Sequence, residues 1–285
     1  MTQQVWTILG VLQWTEKRFS ERGIGSPRLD AQLLLAEVLG KDRVYLYTHF
    51  DQPLEAEELT KYRGLIQRRL GGEPVAYLVG KKEFRSLELA VDARVLVPRP
   101  DTEATVEVVL AALPAEGTAR VVDIGTGSGA IALALKKERP ELEVVAVDRS
   151  PEAAAVARGN AERLGLAVEV VEGDLLAPVA ERGPFAVIVS NPPYIPSAEI
   201  AGLAPEVRKE PMAALDGGAD GLVVIRRLVK DAPALLSEHG ALVMEVGAGQ
   251  APAVVALFAA DGRWEAAMVT KDLAGIERVV AARKK

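Results

Sequence analysis

The sequence predicts an α/β protein: a doubly wound, Rossmann-like, mostly parallel sheet ending in an antiparallel hairpin, preceded by a helical bundle domain and a β-hairpin linker. Three observations predict it. Apolar residues recur at helical spacing over roughly the first seventy positions, the period shortens between Tyr77 and Val97, and from Arg120 onward short apolar runs alternate with helical segments. The 285 residues are about twice the commonest domain length, and the expected division is 1–74, 75–97 and 98–285.

Taken in order, Val5, Ile8, Leu9, Leu12 and Phe19 form the stripe of a first helix. Ser26 as N-cap, Pro27 at the first helical position and Gly40 as the stop define a second, carrying Leu29, Leu33, Leu34, Ala36, Val38 and Leu39. A third runs over residues 55–70 and closes at Gly71-Gly72. Phe84, Leu87, Leu89, Val91, Val95 and Val97 predict a hairpin turning around Asp92-Ala93-Arg94. Pro98 and Pro100 bracket Arg99, and Asp101-Thr102-Glu103 leads into a helix with Val106, Val109, Leu110 and Leu113, which places the domain boundary here. Strands are expected at 121–122, 144–147, 168–171, 185–189 and 241–246. Between them lie helices ending at Arg139, over 151–164 and over 220–238, with another at 250–260. The last runs, 264–269 and 276–281, have only a short loop between them and are expected to pair antiparallel.

Composition narrows the chemistry. Hydrophobic residues at 49% and charged residues at 26% exclude disordered, collagenous and coiled-coil chains. The absence of cysteine excludes disulfides, thiolate zinc sites, iron-sulfur clusters and cysteine nucleophiles, and a cytoplasmic location is expected. His49 and His239 are the only histidines, so a His-rich metal site is excluded and no metal is expected. A net charge of -6 argues against a broad basic surface, and no direct nucleic-acid binding is expected. No apolar run approaches the roughly 18 residues of a membrane span, and Met1-Thr2-Gln3-Gln4 lacks the basic residues that begin a signal peptide, so no membrane association is expected. No unpaired apolar stripe stands out, and a monomer is expected.

The first strand of the second region ends in Asp123-Ile124-Gly125-Thr126-Gly127-Ser128-Gly129 before a helix. Glycines at every second position let the backbone lie against a ligand while the helix offers free N–H groups, although such turns also serve purely structural ends. Asp148 closes the next strand about twenty residues later, where a carboxylate can accept from both hydroxyls of a ribose. A cofactor with an adenosine moiety follows. The NAD fingerprint G-x-G-x-x-G has one residue more before its third glycine, so the spacing favours S-adenosylmethionine.

The strand at 185–189 runs into Asn191-Pro192-Pro193-Tyr194. Each proline holds its predecessor extended and lacks an N–H, which leaves the Asn191 side chain and nearby carbonyls fixed and available. That suits methylation of a planar NH2 nitrogen, whose two N–H groups the Asn191 oxygen and the Pro192 carbonyl can accept while Tyr194 packs on the planar group. Positive charge builds on that nitrogen during transfer, so acceptors favour the transition state and a strong base is not required.

The glycine turn and its acid resemble the seven-stranded (class I) S-adenosylmethionine-dependent methyltransferases. Further segments sharpen the resemblance: Val97-Pro98-Arg99-Pro100-Asp101-Thr102-Glu103, Asn191 to Ile195, Glu210-Pro211 with Ala214-Leu215, Asp216-Gly217-Gly218 with Asp220-Gly221-Leu222, Glu245-Val246-Gly247 with Gln250, and Lys271 to Gly275. Together they closely resemble the release-factor glutamine methyltransferases, the PrmC/HemK family, over nearly the whole chain. The resemblance implies methyl transfer from S-adenosylmethionine to the glutamine amide of the Gly-Gly-Gln motif in bacterial peptide-chain release factors, the expected partners. It implies cofactor contacts from Gly125, Thr126, Gly127, Ser128, Gly129, Asp148 and Asn191, with Asp174 at the adenine amino group. Asn191, Pro192, Pro193 and Tyr194 would form the catalytic and substrate site. Leu175 stands where bacterial relatives often carry an aromatic beside the adenine, a departure that bears on affinity. Arg99 and Glu103 are candidates for lining the pocket, or an ordinary solvated charge pair at a helix entry. Competing readings are an amino-group methyltransferase acting on adenine or cytosine in rRNA or DNA, a non-catalytic S-adenosylmethionine-binding adaptor, and an NAD-dependent oxidoreductase.

Overall fold

Side-chain caps fix where the first helices begin. Thr7 Oγ1 accepts from the Gly10 amide (3.2 Å) at the head of α1 (Ile8–Ser20), and Asp42 Oδ1 accepts from the Tyr45 amide (2.8 Å) at the head of α3 (Arg43–Thr48). Between them α2 (Pro27–Leu39) starts on a proline and stops at Gly40 with φ 60°. Glu58 reaches back to the Glu55 amide (2.8 Å) at the start of α4 (Ala56–Leu70), and α5 (Val75–Val79) follows. These helices bury Phe19, Leu34, Leu35, Leu46, Tyr62 and Ile66 in one core. The structure describes residues 5–115 and 117–285 in a computed structural model; the start noted for its lack of basic residues, 1–4, lies outside them. The chain divides into two units, Met1–Lys81 with Ala204–Lys209, and Lys82–Leu203 with Glu210–Lys285.

Two sequence expectations for the first unit need correction. The buried face of α1 is Ile8, Val11, Thr15 and Phe19, whereas Val5 and Leu9 are exposed. The face continues through a polar residue, so a stripe traced on apolar letters alone drifts off it. Helices α3 and α5 were not expected, because five or six residues are too few for a 3.6-residue period to show.

Strands β1 (Lys81–Phe84) and β2 (Leu87–Ala90) form the hairpin, and its turn lies at Arg85 and Ser86 instead of at 92–94. Both residues have positive φ (46° and 56°), the backbone a two-residue hairpin needs, and nothing in an Arg-Ser pair advertises it. The Asp92–Arg94 segment is a separate turn closed by the Val95 amide on the Asp92 carbonyl (3.1 Å).

The main sheet comprises β3 (Arg120–Ile124), β4 (Glu143–Asp148), β5 (Glu169–Glu172), β6 (Phe185–Ser190), β7 (Leu236–Glu245), β8 (Met268–Lys271) and β9 (Glu277–Arg283), in the order β5-β4-β3-β6-β7-β9-β8. The first five in chain order are parallel, and β9 lies antiparallel between β7 and β8, as expected for the final hairpin. Helices α6 (Thr102–Ala112), α7 (Ala130–Glu138), α8 (Pro151–Leu164), the short α9 (Met212–Leu215), α10 (Val223–Asp231) and α11 (Ala251–Asp261) occupy the connections. Val122, Ile124, Ile188, Leu242, Leu228 and Phe258 are fully or almost fully buried in the core, which explains the near-continuous apolar strands. The helix expected over 220–238 is shorter: Pro233 cannot continue it, α10 stops at Asp231, and β7 already begins at Leu236.

Register brings the strand ends together. Ile124 lies opposite Val147 on one side and Ser190 on the other, and Asp148 lies opposite Glu172. Strand order reverses at β3, whose neighbours are β4 and β6, so the crevice for a ligand opens at its carboxyl end. Among the described residues, no helix is long and apolar enough to cross a membrane.

Candidate active site

The turn after β3 is held from beneath. Gly125, Gly127 and Gly129 all have positive φ, and a Cβ on Gly129 would come within 2.9 Å of Leu133 Cδ1. The Thr126 hydroxyl points inward and donates to Asp123 Oδ2 (2.7 Å), and Ser128 is buried, so the backbone of the turn is its ligand-facing part. Asp148 Oδ2 accepts from the Gly127 amide and its Oδ1 from the Ser150 amide, both at 2.9 Å. Each carboxylate oxygen keeps a lone pair for a further donor.

Asn160, fully buried on α8, braces the same turn. Its Nδ2 donates to the Ser128 carbonyl (2.9 Å) and the Ala90 carbonyl (3.0 Å), and its Oδ1 accepts from the Ala90 amide (2.8 Å). The hairpin strand β2 and the glycine turn thus share one side chain.

At the end of β6, the Ser190 hydroxyl donates to the Ile124 carbonyl (2.7 Å), which ties this strand end to the one that starts the glycine turn. Asn191 follows, and its Nδ2 donates to Thr102 Oγ1 (3.2 Å). Its Oδ1 is therefore the atom left for an incoming donor. Pro192 is buried, while Pro193 and Tyr194 are half-buried. The Tyr194 carbonyl accepts from Gln250 Nε2 (2.8 Å), and Gln250 Oε1 accepts from the Gly247 amide (2.9 Å). Ile195 is paired on both sides, its amide to the Leu215 carbonyl (3.0 Å) and its carbonyl to the Gly217 amide (2.9 Å). Gly221 passes so close that a Cβ there would strike the Tyr194 carbonyl oxygen and lie 2.6 Å from Gln250 Nε2. The Asp216–Leu222 and Glu245–Gln250 segments therefore act as a frame for the Asn-Pro-Pro-Tyr loop.

Comparison with known proteins decides the family. Residues 10–80 match the PrmC N-terminal domain and residues 100–236 the methyltransferase small domain. The release factor glutamine methyltransferase of Geobacter sulfurreducens is 47% identical over 281 residues, 98% of this chain and 98% of its own. The chain belongs to the release factor glutamine methyltransferase family. Proteins of the same name from Rhodopirellula baltica (41% identical, 98% of this chain and 97% of theirs) and Deinococcus radiodurans (44%, 94% and 95%) agree over nearly their full lengths. A solved methyltransferase from Pyrococcus furiosus superposes with a TM-score of 0.52 at 20% identity, covering 70% of this chain and 89% of that one, and shows the shared fold.

Family membership makes this a methyltransferase, and three buried groups that stand in the motifs above, but had no role assigned to them there, bear on how its site works. Asp123 is 1% exposed, and its Oδ1 has no hydrogen-bond partner among the described residues. Burial pushes its carboxyl up to about 7, with Thr126 and the Ala132 amide opposing and Asp148 adding to the rise. An unpartnered buried carboxylate oxygen beside a glycine turn is suited to a cationic donor, and S-adenosylmethionine carries an ammonium; with Asp148 left able to accept from a ribose, the residues present fit that cofactor. Glu245, at the end of β7, is also 1% exposed, with Oε2 unpartnered among the described residues. Burial raises it to about 7, opposed by Thr102, Arg278 and Asn191, with Asp101 adding. Burial also pushes the Tyr194 hydroxyl up to about 12, with the Glu245 charge reinforcing it. Thr102, the third, is 4% exposed and joins Asn191 to this group.

The remaining expected residues sit as follows. Asp174 is half-exposed and receives Arg227 Nη2 (2.6 Å), a contact that holds its carboxyl below the usual carboxylate range. Leu175, with φ 50°, occupies a left-handed conformation rare for its type and packs partly buried against the core. Arg99 does not pair with Glu103 as a solvated couple; it pairs with buried Glu210, whose Oε2 also accepts from the Val97 amide (2.9 Å). That partner is remote in sequence, which is why the motif itself could not show it.

Proposed function

We propose that this protein transfers the methyl group of S-adenosylmethionine to the side-chain amide nitrogen of the glutamine in the Gly-Gly-Gln motif of bacterial peptide-chain release factors. The observation that carries the chemistry is the Asn191 amide, whose nitrogen is engaged by Thr102 while its oxygen is left to accept. When bound, S-adenosylmethionine supplies an electrophilic sulfonium methyl group. Asp123 Oδ1 would take the ammonium of that cofactor, Asp148 the ribose hydroxyls, and Asp174 the adenine amino group through lone pairs that Arg227 leaves free. Leu175 would pack on the purine face beside the Gly125–Gly129 backbone.

Asn191 Oδ1 and the Pro192 carbonyl accept the two N–H groups of the glutamine amide, and Tyr194 packs against its plane. Holding both hydrogens turns the nitrogen lone pair toward the methyl donor and favours the positive charge that develops there; as the N–C bond forms the sulfonium S–C bond would break to leave the thioether S-adenosylhomocysteine, and the methylated nitrogen would give up one of its two held protons to solvent. The Tyr194 phenol stays protonated at neutral pH, so it contributes a neutral surface and no base. The same acceptor pair suits the exocyclic amine of a nucleobase, but the full-length relatives are named for glutamine, and that favours the protein substrate. The helical domain would hold the release factor, with the enzyme acting as a monomer in the cytoplasm. Incubating the protein and S-adenosylmethionine with an unmodified release factor, its Gln→Ala counterpart and an rRNA sample tests the reading. Methyl transfer to the unaltered factor alone is expected, and transfer to rRNA alone would overturn it.

A further inference from the structure

Among the groups around Asn191, Glu245 does nothing in the chemistry described above, yet it is buried where a carboxylate is costly. Its Oε2 is shielded from solvent and has no hydrogen-bond partner among the described residues. Thr102 and Asn191 both lie against that carboxyl. Thr102 Oγ1 already accepts from Asn191 Nδ2 (3.2 Å), so its own proton has to point elsewhere, and the carboxyl beside it can accept that proton.

We propose that Glu245 is a positioning residue that fixes the orientation of the Asn191 amide through the Thr102 hydroxyl, so that oxygen and not nitrogen faces the substrate amide. The inference rests on the glutamine-methylating reading above. The oxygen and nitrogen of an amide have nearly the same shape, and only their partners decide which way the group sits. A carboxylate can only accept. Thr102 must then donate to Glu245, its oxygen must accept, and the Asn191 NH2 is the group that supplies the donor. Asn191 Oδ1 is left facing outward. A neutral Glu245 can instead donate to Thr102; the Thr102 proton then turns to Asn191, the amide reverses, and two sets of N–H groups confront one another at the substrate.

Other charges face the same carboxyl. Arg278 on β9 favours the ionised form, Asp101 at the start of α6 opposes it, and the Tyr194 hydroxyl lies within reach of its field. Arg278 is itself held by Asp272 (3.1 Å) and Asp101 (3.3 Å), so its charge is shared. Burial outweighs these and raises Glu245 to about 7, which puts the reversal within the range of ordinary assays. The active orientation is the one above that pH, and turnover is lost as pH falls through it.

The test uses the full-length enzyme with S-adenosylmethionine and an unmodified release factor, and reads kcat and KM separately across about pH 5.5 to 8.5. The wild type should show an acidic limb in kcat near pH 7. Glu245→Gln leaves the shape intact but no longer dictates the direction of the relay. It should lower kcat at high pH by about tenfold or more, remove the acidic limb, and keep the S-adenosylmethionine Kd within about twofold. Thr102→Val should reproduce the loss in kcat, and Thr102→Ser should restore most of it. A Glu245→Gln enzyme with wild-type kcat and an unchanged limb would overturn the proposal, as would indistinguishable Thr102→Val and Thr102→Ser enzymes. If Glu245→Gln does not fold, as judged by its melt, the two Thr102 variants decide. Should the wild type methylate the factor and not its Gln→Ala form while these variants behave as wild type, the relay alone is wrong. If the wild type fails that control, the functional reading fails and the relay falls with it.

Discussion

The substitution Asp123→Asn separates what the buried carboxylate costs the fold from what it contributes to binding. Asp123 is 1% exposed with one oxygen unpartnered among the described residues, and burial raises its carboxyl from 3.8 to about 7. For a carboxyl raised in this way, its contribution to stability is complete below the unfolded value and is lost as pH rises through the folded one. Between about pH 5 and pH 8 roughly two units of that loss remain, or about 2–3 kcal/mol at 1.4 kcal/mol per unit. The introduced asparagine would not titrate, although its NH2 would become a buried donor at a cost of about 1–3 kcal/mol that is independent of pH. The difference in stability between variant and wild type should therefore swing toward the variant by about 2–3 kcal/mol from pH 5 to pH 8 and then level off. For a unit of this size the swing corresponds to roughly 5–10 °C in Tm. Calorimetric melts of both proteins without cofactor at the two pH values read it directly. Adding S-adenosylmethionine should then raise the wild-type Tm far more than the variant's. A variant whose offset from wild type is the same at both pH values would refute the reasoning.

Asn160→Ala removes the hydrogen bonds of a fully buried side chain to Ser128, Ala90 and Arg163 and should destabilise the protein by about 2–4 kcal/mol, with weaker S-adenosylmethionine binding, measured by melt and calorimetric titration. Gly221→Ala puts a Cβ into the Tyr194 carbonyl oxygen at a residue with φ 75°, and should cut kcat with little change in cofactor Kd, checked by transfer assays beside titration. Asn191→Ala should lower kcat by about a hundredfold or more while the release factor still binds, as read by surface-immobilised binding in parallel with turnover.

Much of the fold could be read from the sequence because its signals are local. The strands at 144–147 and 185–189 and the helix at 151–164 are continuous apolar runs or clean periods. The errors fall where local signals are overridden. The hairpin turn sits on Arg85 and Ser86, residues without the usual turn chemistry, and the polar Thr15 belongs to a buried helix face. The site divides in the same way. Its glycine turn and the Asn191–Tyr194 loop are contiguous in sequence and could be recognised there. The groups that orient them were not, because Asn160 meets Ser128, Thr102 meets Asn191, and Glu210 meets Arg99 only after the chain has folded. Asn160 did leave one trace: it and Asn191 are the only asparagines in the chain, and both take part in this region. Glu245 stood within a recognised motif, but no spacing rule says that a carboxylate there is buried.

The central claim is that the Asn191 and Pro192 oxygens present a glutamine amide for methylation, and peptide mapping tests it most directly. An unmodified release factor would be treated with the wild-type protein and S-adenosylmethionine, digested, and its Gly-Gly-Gln peptide sequenced by tandem mass spectrometry. One added methyl on the glutamine side chain, absent when Asn191→Ala is used, is the predicted result. A methyl on any other residue, or an Asn191→Ala enzyme that still modifies the glutamine at the wild-type rate, would contradict the account.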